Sequence, residues 1–326
     1  MRTPAEWEPH ERTLMGWPCR QELWGETLAQ ARRDYAAVAN AVAAFEPVTM
    51  IANPGADAAS ARAACAAAVD VVELDLDDSW LRDCGPIYTY GQGGARVAVH
   101  FAFNAWGEKF VPYDHDAAVG RLIAERLGDE VRSTDLVLEG GSVLTDGRGT
   151  LLTTEQCLLN PNRNPSRSRE EIEAELANCL GVLRFVWLGQ GLVEDRDTDG
   201  HVDLIAAFIA PDHVLLQTVP ESNPNFEGCQ ENRERLDAAG FKVTELPLLA
   251  YTEVVGEPVA ASYLNFYICN GGVIVPVSGA DSDGQALGII SSAYPDREVV
   301  AVPGAVLAYG GGGPHCITQQ VPVRNA

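Results

Sequence analysis

Five residues spread along the 326-residue chain carry side chains suited to nucleophilic and acid–base chemistry: Asp83, Glu139, His201, Asp203 and Cys316. Cys316 follows Gly310-Gly311-Gly312-Gly313-Pro314-His315, a stretch with so little side-chain bulk that a ligand can approach the backbone closely. Taken alone, that stretch is equally a surface turn beside an inert cysteine. Two carboxylates on one wall can hold a planar cation such as guanidinium by paired, charge-assisted hydrogen bonds. A thiol beside such a cation and a histidine can be thiolate near neutral pH and attack the electrophilic carbon. In that chemistry Cys316 is the nucleophile, and His201 protonates departing ammonia and then activates water. His201 and Asp203, an i, i+2 pair at the start of a strand, are expected to share a face. His315 is expected to face away from Cys316, because neighbours on a strand point to opposite sides. Each residue also has a plain structural reading: Asp83 as an ion-pair partner of Arg82, Glu139 as a cap, His201 as a hydrogen-bonded turn residue. A zinc site is the rival for such a set, but no ligand pair has the short spacing typical of zinc, and no metal is expected.

These residues fall at corresponding points of a repeat. Asp83, Glu139, His201, Tyr263 and Cys316 follow one another at intervals of about 60 residues. Hairpins are expected over 87–101, 142–154, 202–219 and 262–277, each followed by a helix and a short apolar strand. The helix after the second hairpin opens with the capping box Ser168-Arg169-Glu170-Glu171. Cys316 opens a fifth, shortened unit, whose missing parts are expected from the N-terminal segment, where a helix over 23–45 and strands over 48–51 and 69–74 are read. The fold class is therefore α/β, as one closed domain over 1–326 whose loops converge at an axis, and closure would remove exposed sheet edges. The competing arrangement is two α/β domains split near Asn160–Pro165.

Composition narrows the partners. Acidic residues outnumber basic ones 46 to 23, which argues against nucleic acid or an anionic membrane and favours a small cationic substrate. The eight cysteines show no CxxC and no close pairing, as suits a reducing compartment. No apolar run approaches a membrane span and the N-terminus lacks a signal core, so a cytoplasmic location is expected. A homo-oligomer is compatible with all of this.

Several stretches carry a family resemblance: Pro4-Ala5-Glu6-Trp7-Glu8-Pro9-His10, Asp78-Ser79-Trp80-Leu81-Arg82-Asp83-Cys84-Gly85-Pro86, Phe103-Asn104-Ala105-Trp106-Gly107, Leu138-Glu139-Gly140-Gly141-Ser142, Gly149-Thr150-Leu151-Leu152-Thr153-Thr154-Glu155, Asp199-Gly200-His201-Val202-Asp203, Ala260-Ala261-Ser262-Tyr263-Leu264-Asn265-Phe266-Tyr267 and His315-Cys316-Ile317-Thr318-Gln319-Gln320. Through them the chain resembles the agmatine deiminases and Porphyromonas-type peptidylarginine deiminases. The resemblance implies the five-bladed α/β propeller (pentein) of guanidino-modifying enzymes and hydrolysis of agmatine through a covalent Cys316 amidino-thioether. It implies His201 as acid and base with Glu139 orienting it, Asp83 and Asp203 gripping the guanidinium, and Trp80 walling the pocket, with no cofactor. Asp197, four before His201, is the implied contact for a distal ammonium. Leu204 and Pro314 stand where these relatives usually carry Asn and Ile, which leaves another alkylguanidine or peptidyl-arginine as alternative substrates. An amidinotransferase and a non-catalytic propeller protein are the other readings.

Overall fold

In the computed structural model, which describes residues 1–324, five sheets share one pattern: an antiparallel pair, then a strand parallel to the second member. Asn325 and Ala326, the end of the 1–326 span, lie outside the described residues. The first sheet joins Ile87–Tyr90, Arg96–Ala102 and Glu130–Val137. The second joins Leu144–Thr145, Thr150–Thr154 and Arg184–Leu188. The third joins Ala206–Ala210, His213–Gln217 and Lys242–Leu246, and the fourth Tyr267–Cys269, Gly272–Val277 and Glu298–Pro303. A helix leads from the middle strand to the last in each: Asp114–Arg126, Arg169–Leu180, Phe226–Ala238 and Asp283–Ala293. The fifth sheet ties the chain ends together. Thr318–Pro322 pairs antiparallel with His10–Gly16, which runs parallel to Val48–Ala52, with Val69–Glu73 added at the edge.

Local sequence explains these elements. Thr150–Thr154 and Val48–Ala52 are buried at every position, as strands covered on both faces must be. In helix Leu28–Val42, Ala31, Tyr35, Val38 and Val42 recur at three- and four-residue spacing and pack with Trp17, Trp24, Met50 and Trp80. Each large side chain buried there contributes roughly 1.5–3 kcal/mol. The capping box forms as expected: the Ser168 hydroxyl accepts from the Glu171 N–H, and the Glu171 carboxylate accepts from the Ser168 N–H. That helix stops at Gly181, whose φ of +71° suits glycine.

Three expectations are corrected. The helix read over 23–45 is broken into Gln21–Trp24, a 3₁₀ turn Gly25–Thr27 and Leu28–Val42, the break coinciding with φ of +49° at Gly25. Val202–Leu204 is a 3₁₀ turn, so His201 and Asp203 do not share a strand. An additional hairpin, Ala250–Val254 with Glu257–Ala261, precedes the fourth sheet.

Candidate active site

The loops ahead of the sheets bring the singled-out residues together. Asp83 lies in the short helix Leu81–Cys84, capped after one turn by the Gly85 N–H on the Leu81 carbonyl. One carboxylate oxygen, Oδ1, accepts the Gly141 N–H at 2.9 Å, and the other, Oδ2, accepts the Trp106 indole N–H at 3.0 Å. Trp106 reaches it from a loop in which Ala105, Trp106 and Glu108 all have positive φ. Such conformations in non-glycine residues cluster at functional sites. Trp80 packs face to face on Trp24, with ring centroids 5.9 Å apart, and edge-on to Tyr35, so its position is fixed by the core.

Glu139 and His201 meet Asp83 from the second and third loops. His201 Nδ1 is 3.9 Å from Asp83 Oδ1 and His201 Nε2 is 3.8 Å from Glu139 Oε2: ion-pair distances, too long for hydrogen bonds. Among the described residues neither imidazole nitrogen has a hydrogen-bond partner, and both are buried. Glu139 is held from behind by Arg163, whose Nε–H donates to Oε1 at 2.6 Å. Arg163 is fully buried and also donates to Asp199 Oδ2 and to the Thr198 carbonyl, fixing the loop that leads into His201. Glu139, Cys157 and His201 each place one ligand-type atom within 4.8 Å of the others. Arg163 already neutralises Glu139, so a dication there would face a buried cation at close range; the set does not suit a metal.

Cys316 sits in the turn before strand Thr318–Pro322, not at its first residue. Its N–H donates to Asn265 Oδ1 at 3.2 Å, and Asn265 Nδ2–H donates to the Asp203 carbonyl, so Asn265 couples the two loops. Cys316 Sγ is 3.4 Å from Asp203 Oδ2, while Asp203 Oδ1 has no partner among the described residues. Two glycines make the geometry possible. A Cβ on Gly312 would come within 2.7 Å of Cys316 Sγ and 2.9 Å of Trp80, and one on Gly141 within 2.6 Å of His201 Nδ1 and 2.9 Å of both Asp83 and Asp203. A narrow cleft lined by Trp80, Asp83, Trp106, Asp197, Gly311 and Cys316 opens on this cluster.

Of the seven residues singled out in the sequence, Trp80, Asp83, Asp197 and Cys316 line the cleft, with Asp197 at its rim beside Gly311, while Asp203, His201 and Glu139 lie behind them, each within 4 Å of another member of the set. His315 is the correction. In the turn it does not face away: its Nδ1 lies 2.8 Å from Asp203 Oδ2. Trp106, Arg163, Asn265 and Glu6 also contact site residues without having been assigned roles from sequence. Only the resemblance motifs, which include Trp106, Asn265 and Glu6, marked their neighbourhoods, and Arg163 lies in none of them.

A family model described as Porphyromonas-type peptidyl-arginine deiminase matches residues 2–322. The chain belongs to the Porphyromonas-type peptidyl-arginine deiminase family. Among its relatives, the agmatine deiminase of Stutzerimonas stutzeri (strain A1501) is 42% identical over 349 residues, covering 98% of this chain and 95% of that protein. The solved agmatine deiminase of Enterococcus faecalis superposes with a TM-score of 0.94 at 35% identity, over 99% of this chain and 96% of its own. A Cys-to-Ser agmatine deiminase of C. jejuni with substrate bound superposes at 0.93 and 28% identity, over 100% of this chain and 97% of its own.

The electrostatics of this family member are set by burial and by crowding of acids. Burial pushes Asp83 up to about 6, aided by Asp203 and Glu139 and opposed by His201 and the Gly141 N–H. Burial raises Asp203 too, but His315, His201 and Arg82 outweigh it and hold its carboxyl below the usual range. Burial disfavours charge on His201, yet Asp83, Cys157 and Glu139 raise its pKa well above the ordinary value, so the imidazole is held as a cation. The Cys316 thiol is driven well up, first by burial and then by Asp203 and Asp83. Two carboxylates therefore face the sulfur and favour its protonated form.

Proposed function

We propose that the protein is a deiminase that hydrolyses the guanidinium of agmatine to N-carbamoylputrescine and ammonia. The observation that carries this reading is the placement of Cys316 Sγ 3.4 Å from Asp203, with Asp83 and His201 meeting Asp203 around the open face of Gly141. A thiol among carboxylates is a poor nucleophile by itself, but those carboxylates suit a planar cation, and the cation reverses the sign of the local field. Docked between Asp83 and Asp203, the guanidinium lowers the thiol pKa, the proton leaves to water, and Sγ bonds the guanidinium carbon. His201, already protonated, gives its proton to one nitrogen as the C–N bond breaks, and ammonia departs. A water then attacks the amidino-thioether carbon while His201 takes back a proton, and cleavage of the C–S bond returns Cys316 and the ureido product. Glu139 orients His201, Trp80 and Trp106 wall the cleft, and Asp197 at the rim takes the distal ammonium.

We further infer that the five sheets close around one axis as a single-domain pentein propeller, a reading supported by the shared pattern and by the pairing of the two chain ends. The agmatine assignment draws on the agmatine deiminases of S. stutzeri and E. faecalis. Its test is incubation with agmatine, arginine and a peptidyl-arginine without an added amine acceptor, scoring ureido product. Agmatine is expected to be turned over preferentially, and Cys316→Ser to be inactive. No turnover by folded wild type would sink the reading, and activity surviving in Cys316→Ser would sink the covalent route.

A further inference from the structure

The catalytic scheme leaves His315 unused, although it is buried directly behind Asp203. Its Nδ1 is 2.8 Å from Asp203 Oδ2, and its Nε2 is 2.9 Å from Glu6 Oε1. An imidazole with a carboxylate oxygen at hydrogen-bond distance from each nitrogen satisfies both only when both nitrogens carry protons. Arg82 completes the cluster: its Nε–H donates to the His315 carbonyl at 3.2 Å, its backbone N–H donates to the Cys316 carbonyl, and its guanidinium lies 3.4 Å from Glu6 Oε1.

We propose that His315 is a positioning residue, clamped as a cation between Glu6 and Asp203 so that Asp203 Oδ2 stays ionised beside Cys316 Sγ while Oδ1 is left to the substrate. This assigns a purpose to the N-terminal Glu6, far from Cys316 in sequence and joined to it through two side chains. It rests on the deiminase reading only for the identity of the cation that Asp203 binds. The charged and titratable groups facing the cluster are Glu6, Arg82 and Asp203 around His315; His10 and Tyr294 near Glu6; and Cys316, His201 and Asp83 beyond Asp203. Against the cost of burial, Glu6 is held down to about 2 by His315 and Arg82, as it must be if the clamp is ionic.

The cation does more than hold geometry. It lies one carboxylate away from the sulfur, so removing it leaves Asp203 unscreened and makes the thiol still harder to ionise. His315→Asn keeps an N–H near Nδ1 but removes the charge. At fixed pH near 8.5, alkylation of Cys316 by iodoacetamide is expected to be about tenfold slower in His315→Asn than in wild type, corresponding to about one pH unit in the thiol pKa. Steady-state kinetics should show kcat reduced more than KM. Equal alkylation rates in a folded variant would overturn the proposal and leave His315 a packing residue. Should His315→Asn fail to fold, Glu6→Gln gives a second test, since it touches neither Asp203 nor Cys316. The His315 ring is then expected to titrate at lower pH than in wild type by NMR, with kcat acquiring a matching alkaline decline; a ring and a profile unchanged from wild type would refute it. Alkylation reads Sγ whether or not any guanidine is turned over, so failure of the deiminase reading leaves this test intact.

Discussion

The Trp106 indole N–H donates to Asp83 Oδ2 at 3.0 Å from a backbone held at φ of +56°. A tryptophan in that conformation costs of order 1–3 kcal/mol, and the fold retains it where it fixes a carboxylate aimed into the cleft. Trp106→Phe keeps the edge-on packing against Phe103 and Phe110 but deletes the donor. A lost hydrogen bond to a charged group is worth roughly 1.5–3 kcal/mol. The expected result is a fall of about 10- to 100-fold in kcat/KM for agmatine, mostly through KM. A change below about twofold would mean that Asp83 needs no help from the indole.

Asp83 also sets an acid limit. Its carboxyl is raised to about 6 by burial and by Asp203 and Glu139, so below that pH it is largely protonated and cannot pair with a guanidinium. The expected profile of kcat/KM, which reports groups of the free enzyme, falls with unit slope as pH drops below about 6. The stability contribution has the opposite sense. A carboxyl with a raised folded-state pKa binds more protons folded than unfolded, so its penalty is absent at low pH and grows as pH rises through about 6. Asp83→Asn should therefore be less active but more stable than wild type at pH 7.5, and equally stable near pH 4. Greater stability of wild type at pH 7.5 would contradict this.

How much of this was legible in the chain follows from the kind of signal each residue carries. Asp83, Glu139, His201 and Cys316 stand out because a local pattern, turn then hairpin then helix then strand, recurs around each. Asp203 was read through an i, i+2 strand rule that the 3₁₀ turn Val202–Leu204 invalidates, although the two residues still meet the same cluster. The same assumption of strand geometry misplaced His315. Arg163 acts through contacts with residues far away in sequence, and nothing in its own neighbourhood announces it, while Asn265 lies in a resemblance stretch that marked its place but not its role. The raised pKa of the Cys316 thiol was not legible, because it depends on burial and on the two carboxylates that the fold brings to the sulfur from distant loops.

Arg163 links stability to catalysis. It is fully buried, holds Glu139 at 2.6 Å and anchors Asp199 and the Thr198 carbonyl of the His201 loop. Arg163→Ala leaves Glu139 buried without its partner, which costs roughly 3–5 kcal/mol. Arg163→Lys supplies charge but not the planar fork that spans both acids, so an intermediate loss is expected. Urea denaturation should rank wild type above Arg163→Lys above Arg163→Ala, with kcat in the same order. An Ala variant within about 1 kcal/mol of wild type would show that Glu139 finds another partner.

Two glycine substitutions separate catalytic space from backbone conformation. Gly141 has no positive φ, so alanine there strains nothing locally, yet its methyl would stand 2.6 Å from His201 Nδ1 and 2.9 Å from Asp83 and Asp203. These three groups must either move apart or lose the space proposed for the guanidinium, and a displacement of about 1 Å at reacting groups can cost on the order of 100-fold in rate. Gly284, inside helix Asp283–Ala293, has nothing within 4 Å of an added Cβ. Alanine there should stabilise the helix by about 0.5–1 kcal/mol and leave kinetics unchanged. The pair is measured by kcat/KM for agmatine alongside thermal denaturation. A Gly141→Ala enzyme with wild-type activity would show that the space around Gly141 is not where the substrate binds, whatever its stability.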